Sequence, residues 1–360
     1  MTGALHVRGV LLPDGEERDL WVVDGRLTFE PVAQAETVSA GGWVVPGLVD
    51  AHCHIGLGPD GPVHDPAGLH AQARADSAAG ALLVRDAGSP ADTRFLDAEP
   101  DAPRILRCGR HIARPKRYSP QTAVEIDPPE LVDTVAREAA AGAGSWVKLV
   151  GDWIDRAEGD LTPLWPADAL RAAVARAHAA GARVAVHVFS EEALPDLIDA
   201  GVDSVEHGTG LTEDLVAALA ASGAALVPTL INIDNFPGIA EAARAKFPVY
   251  AERMTRLHGT ARARMRAAYE AGVPIYCGTD AGGYVRHGRV ADEILALHDA
   301  GLPAEAALAA GSWAARRWLG HPGIEEGAPA DFLVVETDPR VDLAVLRSPV
   351  RIVLRGQILA

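Results

Sequence analysis

Along most of the chain, short runs of apolar residues alternate with Ala-rich segments whose apolar positions recur at helical spacing. Each run ends in a turn rich in Gly, Pro or Asp, the pattern that a parallel sheet of βα units leaves in a sequence. Eight runs follow in order: "WVVPGLVDAH", "ALLVRDAG", "RILRCG", "SWVKLVG", "RVAVHVFS", "VDSVEHG", "AALVPTL" and "VPIYCGTD". Between them lie predicted helices such as "PADALRAAVARAHAAG", whose alanines and arginines favour helix and whose Gly181 suits a C-cap. Eight units predict an α/β protein with a (β/α)8 TIM-like barrel over residues 47–319; a doubly wound sheet is the rival arrangement. The ends read differently. "ALHVRGVLL", "DLWVVDGRLTF" and "TVSAGGWVV" near the start, and "ADFLVVETD" and "VRIVLRGQIL" near the finish, are strand-like runs without helix between them. Neither end has the apolar surface to stand alone, so residues 1–46 and 320–360 are expected to pair as one small composite β-sandwich domain beside the barrel.

Composition narrows the function without naming it. A chain of 360 residues, 48% of them hydrophobic, can bury a large core. Its formal charge of -16 and scattered basic residues argue against a nucleic-acid partner. Cys53, Cys108 and Cys277 are far apart with no CxxC pairing, which fits a reducing cytoplasm better than a disulfide framework. The start of the chain lacks the basic and apolar regions of a signal peptide, and no apolar run of about 18 residues predicts a membrane span. Trp313 and Trp318, on a late predicted helix, offer either core packing or a contact in a homo-oligomer.

The chemistry concentrates at the C-terminal ends of the predicted strands, where barrel sites are built. In "VVPGLVDAHCHIGLG" the strand period puts His52 and His54 on one face and Cys53 on the other. Two converging imidazoles suit a metal, although a strand histidine is also satisfied by a simple hydrogen bond. Lys148, His187 and His207 fall at the ends of later strands, and Asp280 at the end of the last, where it either joins the site or caps the next helix. Lys148 stands apart. Flanked by Trp146, Val147, Leu149 and Val150, it would bury an unpaired charge unless something neutralises it. After the third strand, "CGRHIARPKRYSP" supplies His111, Arg114, Arg117 and Tyr118, either a grip on a carbonyl or carboxylate or a solvated basic loop. Tyr284, Arg286 and His287 follow Asp280 and either reach the same rim or stand behind it. Arg85 and Asp86 are expected to pair internally, and Cys53 and Cys277 to be small buried hydrophobes.

These motifs, with "WVKLVGDW", "VHVFSEEAL", "AGVDSVEHGTGL", "CGTDAG" and "GAPADFLVVETDP", resemble the amidohydrolase superfamily over nearly the whole chain. Within it the pattern is similar to the imidazolonepropionase and prolidase-like (Xaa-Pro or Xaa-Arg dipeptidase) branch. The resemblance implies two divalent metal ions, zinc above all, with His52, His54 and Asp280 on one and His187 and His207 on the other. It also implies that Lys148 is carboxylated by CO2 to an N6-carboxylysine that bridges them. Such a centre would provide a bridging hydroxide, with Asp280 as the catalytic base and then acid. The expected reaction is hydrolysis of a C–N amide bond in a dipeptide, an N-acyl amino acid or a cyclic amide. A free carboxylate on that small-molecule substrate would meet Arg114, Arg117 and Arg286, with His111, Tyr118, Tyr284 and His287 as further substrate contacts. Deamination, and lactone or ester hydrolysis, are the alternatives on the same scaffold, and a metal-binding protein without catalysis is the alternative from another class.

Overall fold

The structure, a computed structural model, describes residues 3–141 and 145–360. Seven of the apolar runs form strands: Leu48–Cys53, Ala81–Asp86, Arg104–Arg107 continued by His111–Ala113, Trp146–Val150, Arg183–Val188, Ser204–His207 and Ala225–Val227. Most of their residues are buried whichever face they occupy, which is why the sequences read as continuous apolar runs rather than as alternation. Each strand pairs in parallel with the next.

The eighth run forms no regular strand. Residues 275–281 lie between the seventh strand and the first, held by the parallel bridges Leu226↔Ile275 and Cys53↔Ala281. Ala51 N–H donates to the Cys277 carbonyl at 2.8 Å and Asp280 N–H to the His52 carbonyl at 2.7 Å. Gly278 permits this approach, since a Cβ there would stand 2.6 Å from His52 Cβ and 2.5 Å from Val227 Cγ1. The pairings return to their starting strand, a TIM-like α/β arrangement.

The interior of the ring is layered. At one end Val49, Ala51, Leu83, Trp146 and Ala185 pack with Leu319, and Trp318 stacks on Tyr276 at 4.2 Å between ring centroids. Trp318 is therefore a packing residue. Above it the buried Arg85 guanidinium lies 4.4 Å from the Trp146 ring centre, and above that come the histidine-bearing strand ends.

Two insertions rise over those ends. An antiparallel hairpin, Asp152–Asp155 with Asp160–Pro163, follows the fourth strand. Three helices, Leu230–Ile233, Phe236–Ala243 and Pro248–Glu270, follow the seventh.

The chain ends form one hydrogen-bonded sheet of eight strands. Trp43–Pro46 pairs antiparallel with Phe332–Val335 and parallel with Leu5–Leu11, so the N- and C-terminal ladders are continuous through it. The bridge Arg26↔Pro329 brings the far strand back, and the sheet bends round its own core, which includes Leu20, Val22, Phe332 and Val353. Among the described residues no helix is long and apolar enough to cross a membrane.

Candidate active site

His52 and His54 end the first ring strand with their rings turned to one place. His52 Nδ1 lies 2.6 Å from Glu206 Oε2, and His54 Nδ1 lies 2.8 Å from the Gly88 carbonyl oxygen. A carbonyl can only accept, and Glu206 is also the acceptor for Arg85 Nη2 at 2.7 Å and Ser204 Oγ at 2.5 Å. Both Nδ1 atoms therefore carry the proton and both Nε2 atoms present lone pairs. Those lone pairs face each other at 3.2 Å, and Asp280 Oδ1 stands 2.9 Å from His54 Nε2 and 3.4 Å from His52 Nε2. Three acceptors this close repel unless a cation lies among them. The arrangement fits a divalent ion held by His52, His54 and Asp280, whose ligand atoms all lie within 4.8 Å of one another.

Other residues close in from the neighbouring strands. The His207 and His187 ring centres are 4.7 Å apart, and His207 is 5.0 Å from His52. His207 Nδ1 is 2.7 Å from Thr229 Oγ1, whereas His187 Nε2 is buried and, among the described residues, without a hydrogen-bond partner. Lys148 Nζ is likewise buried and unpartnered among the described residues. Burial, followed by the Lys148 charge for His52, the His207 charge for His187 and the His52 charge for His207, holds these imidazoles well below their usual pKa. Neutral imidazole is the ligating form. Burial lowers the Lys148 pKa as well, despite the raising effect of Glu206. His207 (φ 67°), Thr229 (φ 49°) and Asp280 (φ 57°) all adopt left-handed backbone, a conformation that is costly for residues other than glycine and that gathers at this rim.

A cavity of about 270 Å³ opens onto the cluster, lined at its base by His54, His187 and Asp280. Asp280 is the one carboxylate in that lining. Its Oδ2 accepts from Asn232 Nδ2 at 2.6 Å, an amide carried by the Leu230–Ile233 helix. Of the expected substrate contacts, Tyr118 and Tyr284 line the cavity. His111 does not. It is fully buried with neither ring nitrogen hydrogen-bonded among the described residues, packed against His54 and Tyr118 with ring centres 5.0 and 4.8 Å away.

The arginines of the expected basic grip lie outside this lining. Arg117 turns away to the hairpin, donating to Asp155 Oδ2 at 2.9 Å, the Trp153 carbonyl at 2.8 Å and Thr162 Oγ1 at 2.7 Å. Arg114 is absent from the lining. Arg286 and His287 border a neighbouring cleft, where His287 Nδ1 pairs with Asp76 Oδ2 at 2.8 Å. Arg85 pairs with Glu206 and not with Asp86, because adjacent strand residues point to opposite faces. Glu206, which sequence reasoning passed over, carries the same signal as Lys148: a charge inside a buried apolar strand, "VDSVEHG".

The Amidohydrolase family matches residues 43–359, and this chain belongs to it. It is a hydrolase of the metal-dependent kind. The chain is 56% identical over 354 residues to the uncharacterized protein Rv2915c of Mycobacterium tuberculosis (strain ATCC 25618 / H37Rv), covering 98% of this chain and 95% of that one. It shares the fold of a Xaa-Pro dipeptidase with bound methionine in the active site, at a TM-score of 0.82 and 22% identity over 99% of both chains. An A. niger ochratoxinase is also similar, at a TM-score of 0.78 and 18% identity over 99% of this chain and 96% of that one.

Proposed function

We propose that this protein hydrolyses a C–N bond of a small amide, with Asp280 as proton carrier. The observation that supports it most is the set of three facing acceptors, His52 Nε2, His54 Nε2 and Asp280 Oδ1. His187, His207 and Lys148 would complete the ligand set for a second divalent ion. Bound ions would supply Lewis acidity to the carbonyl oxygen and to the attacking water. Burial favours the uncharged Lys148 amine, the form that adds to carbon dioxide: an N–C bond forms, a proton leaves, and a buried cation becomes an anion. Asp280 lies at the cavity base with one oxygen fixed by Asn232, placed to take the proton of the attacking water and return it to the nitrogen as the C–N bond breaks. The amide preference over esters, zinc as the metal and a cytoplasmic location belong to the same reading. So does the division into a barrel of residues 47–319 and an end unit of 1–46 with 320–360.

Protein loaded with zinc in bicarbonate is expected to hold about two metal ions per chain and to hydrolyse amides. Lys148→Ala should lower metal content and abolish hydrolysis. Metal content and turnover that survive this substitution would refute the reading.

A further inference from the structure

A threonine in front of a helix ordinarily turns its hydroxyl oxygen back to an N–H of the first turn. Thr229 precedes the short helix Leu230–Ile233 but sits in left-handed backbone, makes no such cap, and has its Oγ1 2.7 Å from His207 Nδ1 instead. Within the turn, the N–H groups of Asn232 and Ile233 donate to the Thr229 carbonyl at 2.9 and 3.1 Å. Those of Leu230 and Ile231 are the orphans that every helix start leaves.

Glu293 takes both. It is buried on the helix Val290–Asp299, 63 positions along the chain from Leu230, and its Oε1 and Oε2 accept from the Leu230 and Ile231 N–H groups at 2.8 Å each. Burial pushes its pKa up to about 8 against the pull of these two donors. A buried carboxylate is a costly way to close one helix turn. The helix Pro66–Ala78 is closed locally and in reach of solvent, by Asp65 accepting from Gly68 N–H at 2.7 Å. What the distant cap achieves is placement: Thr229 is left free to meet His207, and the turn presents Asn232 Nδ2 to Asp280 Oδ2 at 2.6 Å.

We infer that Glu293 is a positioning residue for the hydrolytic site, capping this turn from outside so that Thr229 holds His207 and Asn232 holds Asp280. The inference rests on the hydrolase reading and names what orients two of its proposed ligands. Asp280 Oδ1 faces the two imidazole Nε2 atoms, so Oδ2 is the oxygen left to carry a proton. The Asn232 N–H occupies one lone pair of Oδ2 and fixes the direction of the other.

Glu293→Gln keeps the shape but sets an amide NH2 against one of the two N–H donors. The full chain and this variant are compared at about pH 9, where Glu293 is ionised. The readouts are crystal structures of the metal-free proteins, visible absorption of the cobalt-loaded ones, and hydrolysis of acetanilide, N-acetylphenylalanine and glycylphenylalanine by the zinc-loaded ones. The variant should lose the Asn232–Asp280 and Thr229–His207 contacts, alter the cobalt band, and lower kcat about 10–100-fold with KM within about two-fold. Ile294→Val, a packing change on the same helix, should lower the urea midpoint and leave the contacts, the cobalt band and kcat as they are. Asn232→Ala leaves the buried carboxylate in place and should reproduce the part of the cobalt change that belongs to Asp280. A Glu293→Gln protein with the contacts and cobalt band of the wild type at full metal content would overturn the inference, whatever its stability. If that variant does not fold, an unchanged cobalt band in Asn232→Ala overturns it. Lost contacts and an altered band, with no hydrolysis of the three compounds by the wild type, would support the positioning role and count against the hydrolase reading. A wild type that binds no cobalt sinks the hydrolase reading, and the metal-free structures then decide the role of Glu293.

Discussion

A single hydrogen bond sets the sense of the whole cluster. His52 can offer Nε2 to a cation only while Nδ1 keeps its proton, and Glu206 is the group that holds that proton in place. Glu206 remains ionised in the core because Arg85 and Ser204 donate to it, and its pKa is held below the usual carboxylate value although burial opposes this. Glu206→Gln removes the charge and puts an amide N–H against either Arg85 or His52. Metal affinity is expected to fall about 10–100-fold, measured by competition with a chelator. Unchanged affinity would mean that the His52 tautomer is set by something other than Glu206. The sequence displayed this residue as plainly as it displayed Lys148. The neighbouring His207 is legible as a ligand by its imidazole alone, whereas the role of Glu206 depends on Arg85, which stands 121 positions away in the chain.

At the scale of elements, the buried strands were legible because parallel strands covered on both faces must be apolar throughout. The eighth run carries the same composition but is bridged at only two points, a difference of backbone geometry that "VPIYCGTD" does not encode. The hairpin Asp152–Asp155/Asp160–Pro163 was hidden by its polar residues, yet it delivers Trp153 to the cavity and consumes Arg117. Residue type can show that an arginine is available; only the path of the loop decides what it reaches. His287 illustrates the same point, since its partner Asp76 lies on the helix Pro66–Ala78 and the pair ties the loop after Asp280 to that helix. Burial opposes the charge on His287, but Asp76 outweighs it and raises the pKa. A raised pKa means that the folded state binds the proton more tightly, so the stabilisation is complete below the unfolded value near 6.5 and is lost as pH rises through the folded value. His287→Asn, which keeps a donor but not the charge, should therefore cost about 1.5–3 kcal/mol at pH 6 and much less at pH 9, by denaturant titration at both. A cost independent of pH would show that shape rather than charge holds the loop.

Across the whole molecule, one buried carboxylate ties the end sheet to the ring at three points. Asp331 accepts from Arg104 Nε at 2.5 Å, from the Arg355 backbone N–H at 2.8 Å and, more weakly, from Arg316 Nη2 at 3.5 Å. Arg104 belongs to the third ring strand, while Arg316 lies in the helix Trp313–Trp318 and also donates to the Gly47 carbonyl where the first strand begins. The three contacts therefore reach the end sheet, the ring and the last helix from a single side chain with no exposure to solvent. Removing the carboxylate would leave Arg316, 2% exposed, as an uncompensated buried cation, and breaking such a pair from one side costs about 3–5 kcal/mol. Asp331→Ala should lower stability by that amount. Because Trp43–Pro46 passes directly into the first ring strand, and Ser312 Oγ donates to the Pro46 carbonyl at 2.7 Å, the loss should appear in calorimetry as one transition moved to lower temperature. Two resolved transitions in the variant would instead show that the sheet and the ring fold as separate units, and that Asp331 alone made them cooperative.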